Sequence, residues 1–295
     1  MTIFIEVKTF SMFINIRGRL LDLRHPRVMG IINVTDDSFY PGSRFTSDEE
    51  ILSIAGRMLE EGADILDIGG CSTRPGAQEV PEETERERVC RATELILGRY
   101  PEAIVSVDTY RASVAGEAVT NSGADIINDI SGGEMDKEMF PLVIRLNVPY
   151  IMMHMQGTPQ TMQSNPHYDD VVSDILFWFG QRTVKLQQAG VKDIILDPGF
   201  GFGKTAAHNF ELLGRMNEFH IAGLPLLAGF SRKSMIWRTL DITPDDALNG
   251  TSALNMAALM KGTSVLRVHD VKEAKEVVTL FEKIYPDGIL FDHYC

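Results

Sequence analysis

The sequence predicts an α/β fold of the (β/α)8 TIM-barrel class, and three observations predict it. Eight short apolar runs recur along the chain, amphipathic segments separate them, and every run ends in polar residues. The runs are nearly continuous in apolar character rather than alternating, as strands covered on both faces of a parallel sheet read. Eight strand–helix units is the count that closes a barrel. At 295 residues the chain has room for one, since such barrels occupy about 250 residues as a single domain. A doubly wound open sheet is the alternative. It would carry a phosphate-binding fingerprint after its first strand, and neither GxGxxG nor the Walker pattern occurs.

The elements follow in order. Residues 1–11 are the stretch open to disorder, and Met12 is a second candidate start. Residues 13–24, FINIRGRLLDLR, set Arg-Gly between two apolar arms and read as an N-terminal β-hairpin closing the barrel bottom. The eight runs are VMGIINV from Val28, DILDIGG from Asp64, IVSVDT from Ile104, DIINDIS from Asp125, YIMMHM from Tyr150, DIILDPG from Asp193, PLLAGFS from Pro225 and SVLRVHD from Ser264. Between the second and third runs, Pro81 stands at a first helical position, with Glu82 and Glu83 early and Arg91 and Arg99 late. That order matches the helix dipole. From Val172 onward, Ile175, Leu176, Phe179 and Leu186 keep helical spacing. Two further helices are expected over 243–259 and 271–284. No linker, low-complexity segment or second domain interrupts the pattern, so residues 1–295 read as one domain.

Composition narrows the function. The formal charge of −13 argues against non-specific nucleic-acid or anionic-membrane binding, which needs a basic surface. The cysteines are Cys71, Cys90 and Cys295, an odd number without CxxC spacing. Neither a disulfide framework nor a zinc site is expected, and a cytoplasmic location fits. There is no signal-peptide core and no apolar run approaching the roughly 18 residues of a membrane span.

In a barrel, polar residues at C-terminal strand ends point into the mouth where chemistry occurs. Here they sort into two groups. Asp108, Asn128, Asp197 and Lys233 suit a flat, donor-rich heterocycle: a carboxylate accepts parallel N–H bonds, and an amide both donates and accepts. Lys233 can bridge a ring carbonyl and Asp197; an internal Asp197–Lys233 salt bridge is the structural alternative. Arg74, Arg267, His269, Asn33 and Thr73 read as an anion site, most naturally for phosphate, and Arg267 and His269 alternate on one side of a strand. With a bound diphosphate, Asn33 could complete a magnesium site. In FSRKSM (230–235) the chain passes from strand to helix, and the N–H groups near Ser234 offer a further anion site, or Ser234 is simply a helix cap. Arg267→Ala is expected to lose activity yet stay folded.

At these residues the chain resembles dihydropteroate synthase. The matching motifs are GIINVTDDSF, DIGGCSTRPGA, SVDT, INDISGG, MHMQGTP, DPGFGFGK, GFSRKS, GTSALN and RVHD, in family order from about Phe13 onward. The resemblance implies a barrel that joins (7,8-dihydropterin-6-yl)methyl diphosphate to 4-aminobenzoate, releasing diphosphate and 7,8-dihydropteroate. It implies that Asp108, Asn128, Met153, Asp197, Phe202 and Lys233 hold the pterin, and that Asn33 binds Mg2+. Asn33, Thr73, Arg267 and His269 would hold the diphosphate; Phe39, Thr73, Arg74, Pro75 and Ser234 would frame the aminobenzoate. Arg267, His269, Lys233 and Arg74 would be the catalytic set. The family pattern also implies a homodimer through the last helices.

The chain departs from the family in two places. Asp36 replaces a proline in the first mouth loop, and Tyr40-Pro41-Gly42-Ser43 stands where many members carry Ser-Asp-Gly-Gly, so an acid is missing at Pro41. Cys71 occupies a position where many members carry Glu. The loop is expected to act as a lid, with Asp36 or Asp37 supplying the missing charge. Two other readings stay open: a methyltetrahydrofolate–corrinoid methyltransferase, which needs no diphosphate clamp, and a non-catalytic pterin-binding paralogue.

Overall fold

Turn chemistry starts the fold. In the computed structural model, which describes residues 12–35, 47–71 and 80–286, β1 (Phe13–Ile16) and β2 (Arg19–Asp22) pair as an antiparallel hairpin. Arg17 and Gly18 turn between them with φ of 50° and 81°, the left-handed pair that a two-residue hairpin loop requires. Arg17 Nε lies 2.8 Å from the Asp125 carboxylate, and the Asn15 N–H donates to Asp193 over 3.1 Å. The hairpin is therefore tied to the chain entering two later strands.

Eight parallel strands follow: β3 (Arg27–Asn33), β4 (Ile65–Gly69), β5 (Val105–Asp108), β6 (Ile126–Asp129), β7 (Tyr150–Met153), β8 (Ile194–Asp197), β9 (Leu227–Ala228) and β10 (Val265–Val268). Their order is β8-β7-β6-β5-β4-β3-β10-β9. A parallel bridge between Leu196 and Leu226 brings β8 against the start of β9 and closes the ring. The helices are α1 (Asp48–Glu60), α2 (Glu82–Arg99), α3 (Ala112–Thr120), α4 (Met139–Leu146), α5 (Val171–Gln188), α6 (Ala206–Gly214), α7 (Ser234–Leu240), α8 (Leu248–Leu259) and α9 (Val271–Ile284). Each expected apolar run coincides with one of the eight strands, β3 starting one residue earlier at Arg27.

Strand parity builds the core. Side chains alternate between the two faces of a strand. Outward residues such as Leu66, Ile68, Val105 and Val268 pack on α1, α2 and α9 through Ile51, Val89 and Val278. On the other side of the barrel Tyr150, Met152 and Leu196 pack on α5 through Ile175 and Phe179. The inward residues Met29, Ile65, Ile126, Ile151, Ile195, Leu227 and Val265 form an apolar layer, and Ile14, Ile16 and Leu23 of the hairpin segment pack against it. The hairpin thus plugs the barrel bottom. Two residues further along β4, β6, β8 and β10, the same inward face becomes polar at Asp67, Asn128, Asp197 and Arg267.

Two boundaries differ from the sequence reading. Pro81 is the N-cap of α2 rather than its first residue: its ψ of 141° lies outside the helix, while its carbonyl accepts from the Glu85 N–H at 3.0 Å. The helix expected over 243–259 divides into a 3₁₀ turn (Asp245–Ala247) and α8.

Candidate active site

The polar layer follows from the apolar one by parity. Asp67 stands two residues past Ile65, Asn128 past Ile126, Met153 past Ile151, Asp197 past Ile195 and Arg267 past Val265, so all five share the inward face. Strand register sets their heights. Asn33 pairs with Gly69, Gly69 with Asp108, and Asp108 with Asn128, one row across four neighbouring strands. Met153 pairs with Asp197. Gly69 leaves a gap in the row, because a Cβ there would lie 3.5 Å from Asn33 Oδ1 and 3.7 Å from Asp108.

Arg267 is the hub. Its Nε donates to Asp67 and its Nη2 to Asp108, each at 2.6 Å. Asp67 is fully buried and also accepts from Asn128 Nδ2 at 3.0 Å. Burial alone would lower the Arg267 pKa, but Asp67 and Asp108 outweigh it and hold the guanidinium above its ordinary value. Burial pushes Asp108 up to about 7 against the pull of Arg267. The sequence reading gave Arg267 to the diphosphate alone; in the structure it is also the counter-ion of two carboxylates.

Asp197 and Lys233 form the opposite wall. Asp197 Oδ1 accepts from the Gly199 N–H at 2.8 Å, and burial raises its pKa although Lys233 opposes the shift. The salt bridge considered between them is not formed; Lys233 Nζ donates instead to the Phe200 carbonyl and sits 4.9 Å from the centre of the Phe202 ring. Burial lowers Lys233 to about 8, with Asp197 opposing. Met153 packs in a small apolar cluster with Ile130, Met155 and Met162, and Phe202 lies against it. A flat ring bounded by carboxylates and an amide would find apolar surface here.

Further out, Ser231 Oγ accepts from the His269 N–H at 3.1 Å and lies 3.0 Å from His269 Nδ1. Arg232 adopts a φ of 54° and grips Asp270 with Nε and Nη2. Lys233, not Ser234, is the N-cap of α7, and no side chain caps it. Ser234 is the first helical residue and is exposed, so the capping role considered for it falls away. Phe39, Thr73, Arg74 and Pro75, like the loop acids Asp36 and Asp37, lie outside the described residues.

Two residues were missed by reasoning on strand ends. Asp67 sits mid-strand inside an apolar run, although its parity with Ile65 was a usable signal. Lys204 ends the glycine-rich loop and is 2% exposed; its Nζ contacts His154 Nδ1 and the carbonyls of Gly199 and Phe202, each at 3.0 Å. Burial lowers Lys204 to about 7, with Asp197 opposing. Gly199 must be glycine: at φ 73° its Cβ would fall 2.0 Å from the His154 carbonyl oxygen. Asp129, at the end of β6, serves the loop: Ser131 and Gly133 donate to it, as does the Tyr150 hydroxyl at 2.7 Å.

Known proteins resemble this chain in sequence and fold. The family model described as pterin binding enzyme matches residues 29–269. Dihydropteroate synthase of Escherichia coli strain K12 is 44% identical over 268 residues, covering 90% of this chain and 94% of that protein. The chain belongs to the dihydropteroate synthase family. The Bacillus subtilis synthase is 41% identical, covering 88% of this chain and 89% of its own. Among solved structures, the Yersinia pestis synthase in a sulfonamide drug complex superposes with a TM-score of 0.88 at 42% identity, covering 93% of this chain and all of that one. The Xanthomonas albilineans synthase with 4-aminobenzoic acid gives 0.85 at 38% identity, covering 93% and 98%. These relatives are synthases along nearly their whole length, which favours dihydropteroate synthase over the corrinoid methyltransferase.

Proposed function

We propose that the inner mouth is the dihydropterin pocket of a dihydropteroate synthase, a transferase of folate biosynthesis. The reaction joins (7,8-dihydropterin-6-yl)methyl diphosphate to 4-aminobenzoate. One observation carries the assignment: the acceptors of Asp108, Asn128 and Asp197, the last two buried, stand at the barrel mouth beside Arg267, Lys233 and apolar Met153. Among the described residues, Asp108 Oδ1, Asn128 Oδ1 and Asp197 Oδ2 receive no hydrogen bond. An aminopyrimidinone edge supplies the N–H donors that such acceptors need.

The reaction then proceeds without a protein nucleophile. The C–O bond to diphosphate breaks as the aromatic amine forms the C–N bond, and the amine proton passes to solvent. Arg267, and His269 oriented by Ser231, stabilise the charge gathering on the departing diphosphate. Lys233 at the pterin wall and Arg74 in the mouth complete the proposed catalytic set; Thr73 is assigned with Arg267 and His269 to the diphosphate, and Phe39, Pro75 and Ser234 to the aminobenzoate.

Asn33 fits a magnesium site in one respect: it ends β3 in the pocket row, with an oxygen donor beside Gly69. Among the described residues no cluster of three or more His, Cys, Asp or Glu could hold a metal, so substrate phosphate and water would supply the other ligands. When bound, magnesium would neutralise phosphate charge. A homodimer through the last helices is supported by Leu280 and Ile284, exposed to 60% and 61% on one face of α9; light scattering on the purified protein tests it. No described helix is long and apolar enough to cross a membrane, and a cytoplasmic enzyme remains our reading.

Purified protein given both substrates should release diphosphate in proportion to 4-aminobenzoate. Release that ignores 4-aminobenzoate, or none at all, would overturn the assignment.

A further inference from the structure

Asp67 lies one layer below the pocket row, pairs in register with Ile31 and Ser106, and has no accessible surface. Its Oδ2 receives both Arg267 Nε at 2.6 Å and Asn128 Nδ2 at 3.0 Å. Its Oδ1 is buried without a partner among the described residues. The Oδ2 that accepts from the Arg267 N–H has no proton to give to Asn128. The group that Asn128 turns toward it must therefore be the NH2, since a carbonyl there would face a carboxylate with no proton between them. This fixes the amide orientation, which is otherwise a free choice of two. The Asn128 carbonyl oxygen is consequently the end turned away from Asp67.

We propose that Asp67 is a specificity-determining positioning residue, which locks the Asn128 amide so that the pocket offers only acceptors to the edge of the bound heterocycle. This inference rests on the pterin-pocket reading above. The row then reads carboxylate, carbonyl and carboxylate at Asp108, Asn128 and Asp197. A ring with an amino group at this edge matches it, whereas a ring with a carbonyl in the same place sets acceptor against acceptor. Arg267 is held by the same oxygen, so the charge clamp and the amide orientation depend on one side chain.

Asp67→Ala releases the lock. It removes the one oxygen that accepts from Asn128 Nδ2, so the amide is free to reverse and point its own NH2 into the pocket. Binding of 6-hydroxymethylpterin and of its 2-oxo counterpart, a lumazine, should be measured by calorimetry. Wild type should favour the amino compound strongly. Asp67→Ala should reduce that preference about 10-fold or more, the effect of one reversed buried hydrogen bond, and Asp67→Glu should retain more of it. A wild type that binds neither compound would sink the pocket reading itself. A wild type that binds the pterin, with a preference unchanged in Asp67→Ala, would sink only the role of Asp67. A second measurement needs no folded Asp67 variant. The side-chain amide 15N signal of Asn128, assigned by its loss in Asn128→Ser, should barely move when 6-hydroxymethylpterin binds to wild type. A large shift would mean that the NH2 has swung to the ligand, and would overturn the proposal.

Discussion

Lys204 Nζ sits 3.0 Å from His154 Nδ1, and both groups are buried. An ammonium can only donate, so His154 receives it on Nδ1 and carries its own proton on Nε2. Burial, with Lys204 and Arg182 adding to it, keeps His154 well below its ordinary pKa and therefore neutral. The same ammonium satisfies the carbonyls of Gly199 and Phe202, which belong to the loop between Asp197 and α6.

This pair gives stability a pH dependence. Lys204 falls to about 7 in the fold from an ordinary 10.5. Between those values the unfolded chain binds more protons than the folded one, so stability from this residue rises with pH. The stability of wild type relative to Lys204→Met should therefore grow from pH 7 to 9, by at most about 1.4 kcal/mol per pH unit. Urea midpoints at several pH values measure it; a difference that is flat or falls across that range would remove the buried ammonium from the account.

Arg267 has a structural duty that its place at the mouth conceals. Removing it leaves Asp67 and Asp108 without their cation. Arg267→Ala should lose about 3 kcal/mol of stability or more, besides an activity loss of at least about 10-fold. The expectation that the variant loses activity yet stays folded thereby gains a stability cost. Arg267→Lys should recover part of the stability but little activity, because it restores charge without the fork. Thermal melts beside diphosphate-release assays separate the two effects.

Asp197→Asn tests the opposite wall. With no direct ion pair to Lys233, the Asp197 carboxylate is not committed within the protein beyond Gly199. The variant should fold, keep a near-normal melting temperature and lose pterin binding in calorimetry. Unchanged pterin affinity would make Asp197 a loop anchor only.

Gly199→Ala should be among the most damaging small substitutions. The added methyl meets the backbone oxygen of His154 at 2.0 Å, and the residue needs a φ of 73°. Left-handed strain alone costs about 1–3 kcal/mol, and a backbone contact cannot rotate aside. Soluble yield and melting temperature should both fall; a wild-type melt would contradict the loop geometry.

Much of this was legible in the sequence. Apolar runs gave all eight strands because burial on both faces leaves no room for polar residues until the strand ends, as at Asn33, Asp108 and Asp197. Asp67 escaped because it interrupts a run instead of ending it, although counting by twos from Ile65 places it inward. Lys204 had no local signal: its partners at His154, Gly199 and Phe202 are assembled by the turn of the loop, and exposure is the ordinary expectation for lysine. The cap alternative for Ser234 fails because Lys233 takes the N-cap position of α7 and Ser234 is already helical. The loop acids and Arg74 fall outside the described residues, so the aminobenzoate side remains a reading of sequence.

The closure of the barrel is uneven. β9 contributes Leu227 and Ala228 to β10, and the chain meets β8 through the bridge of Leu196 and Leu226, whereas β4 is laddered on both flanks over most of its length. Backbone bonds are therefore sparse along one seam, and its amide hydrogens should exchange with solvent through smaller openings than those of β4. The seam divides the pocket wall: Asp197 and Phe202 follow from β8, and Lys233 follows from β9. Opening along it would shift Lys233 against Asp197 and Phe202, while Asp108 and Asn128, on strands paired at both flanks, would stay as the fixed jaw.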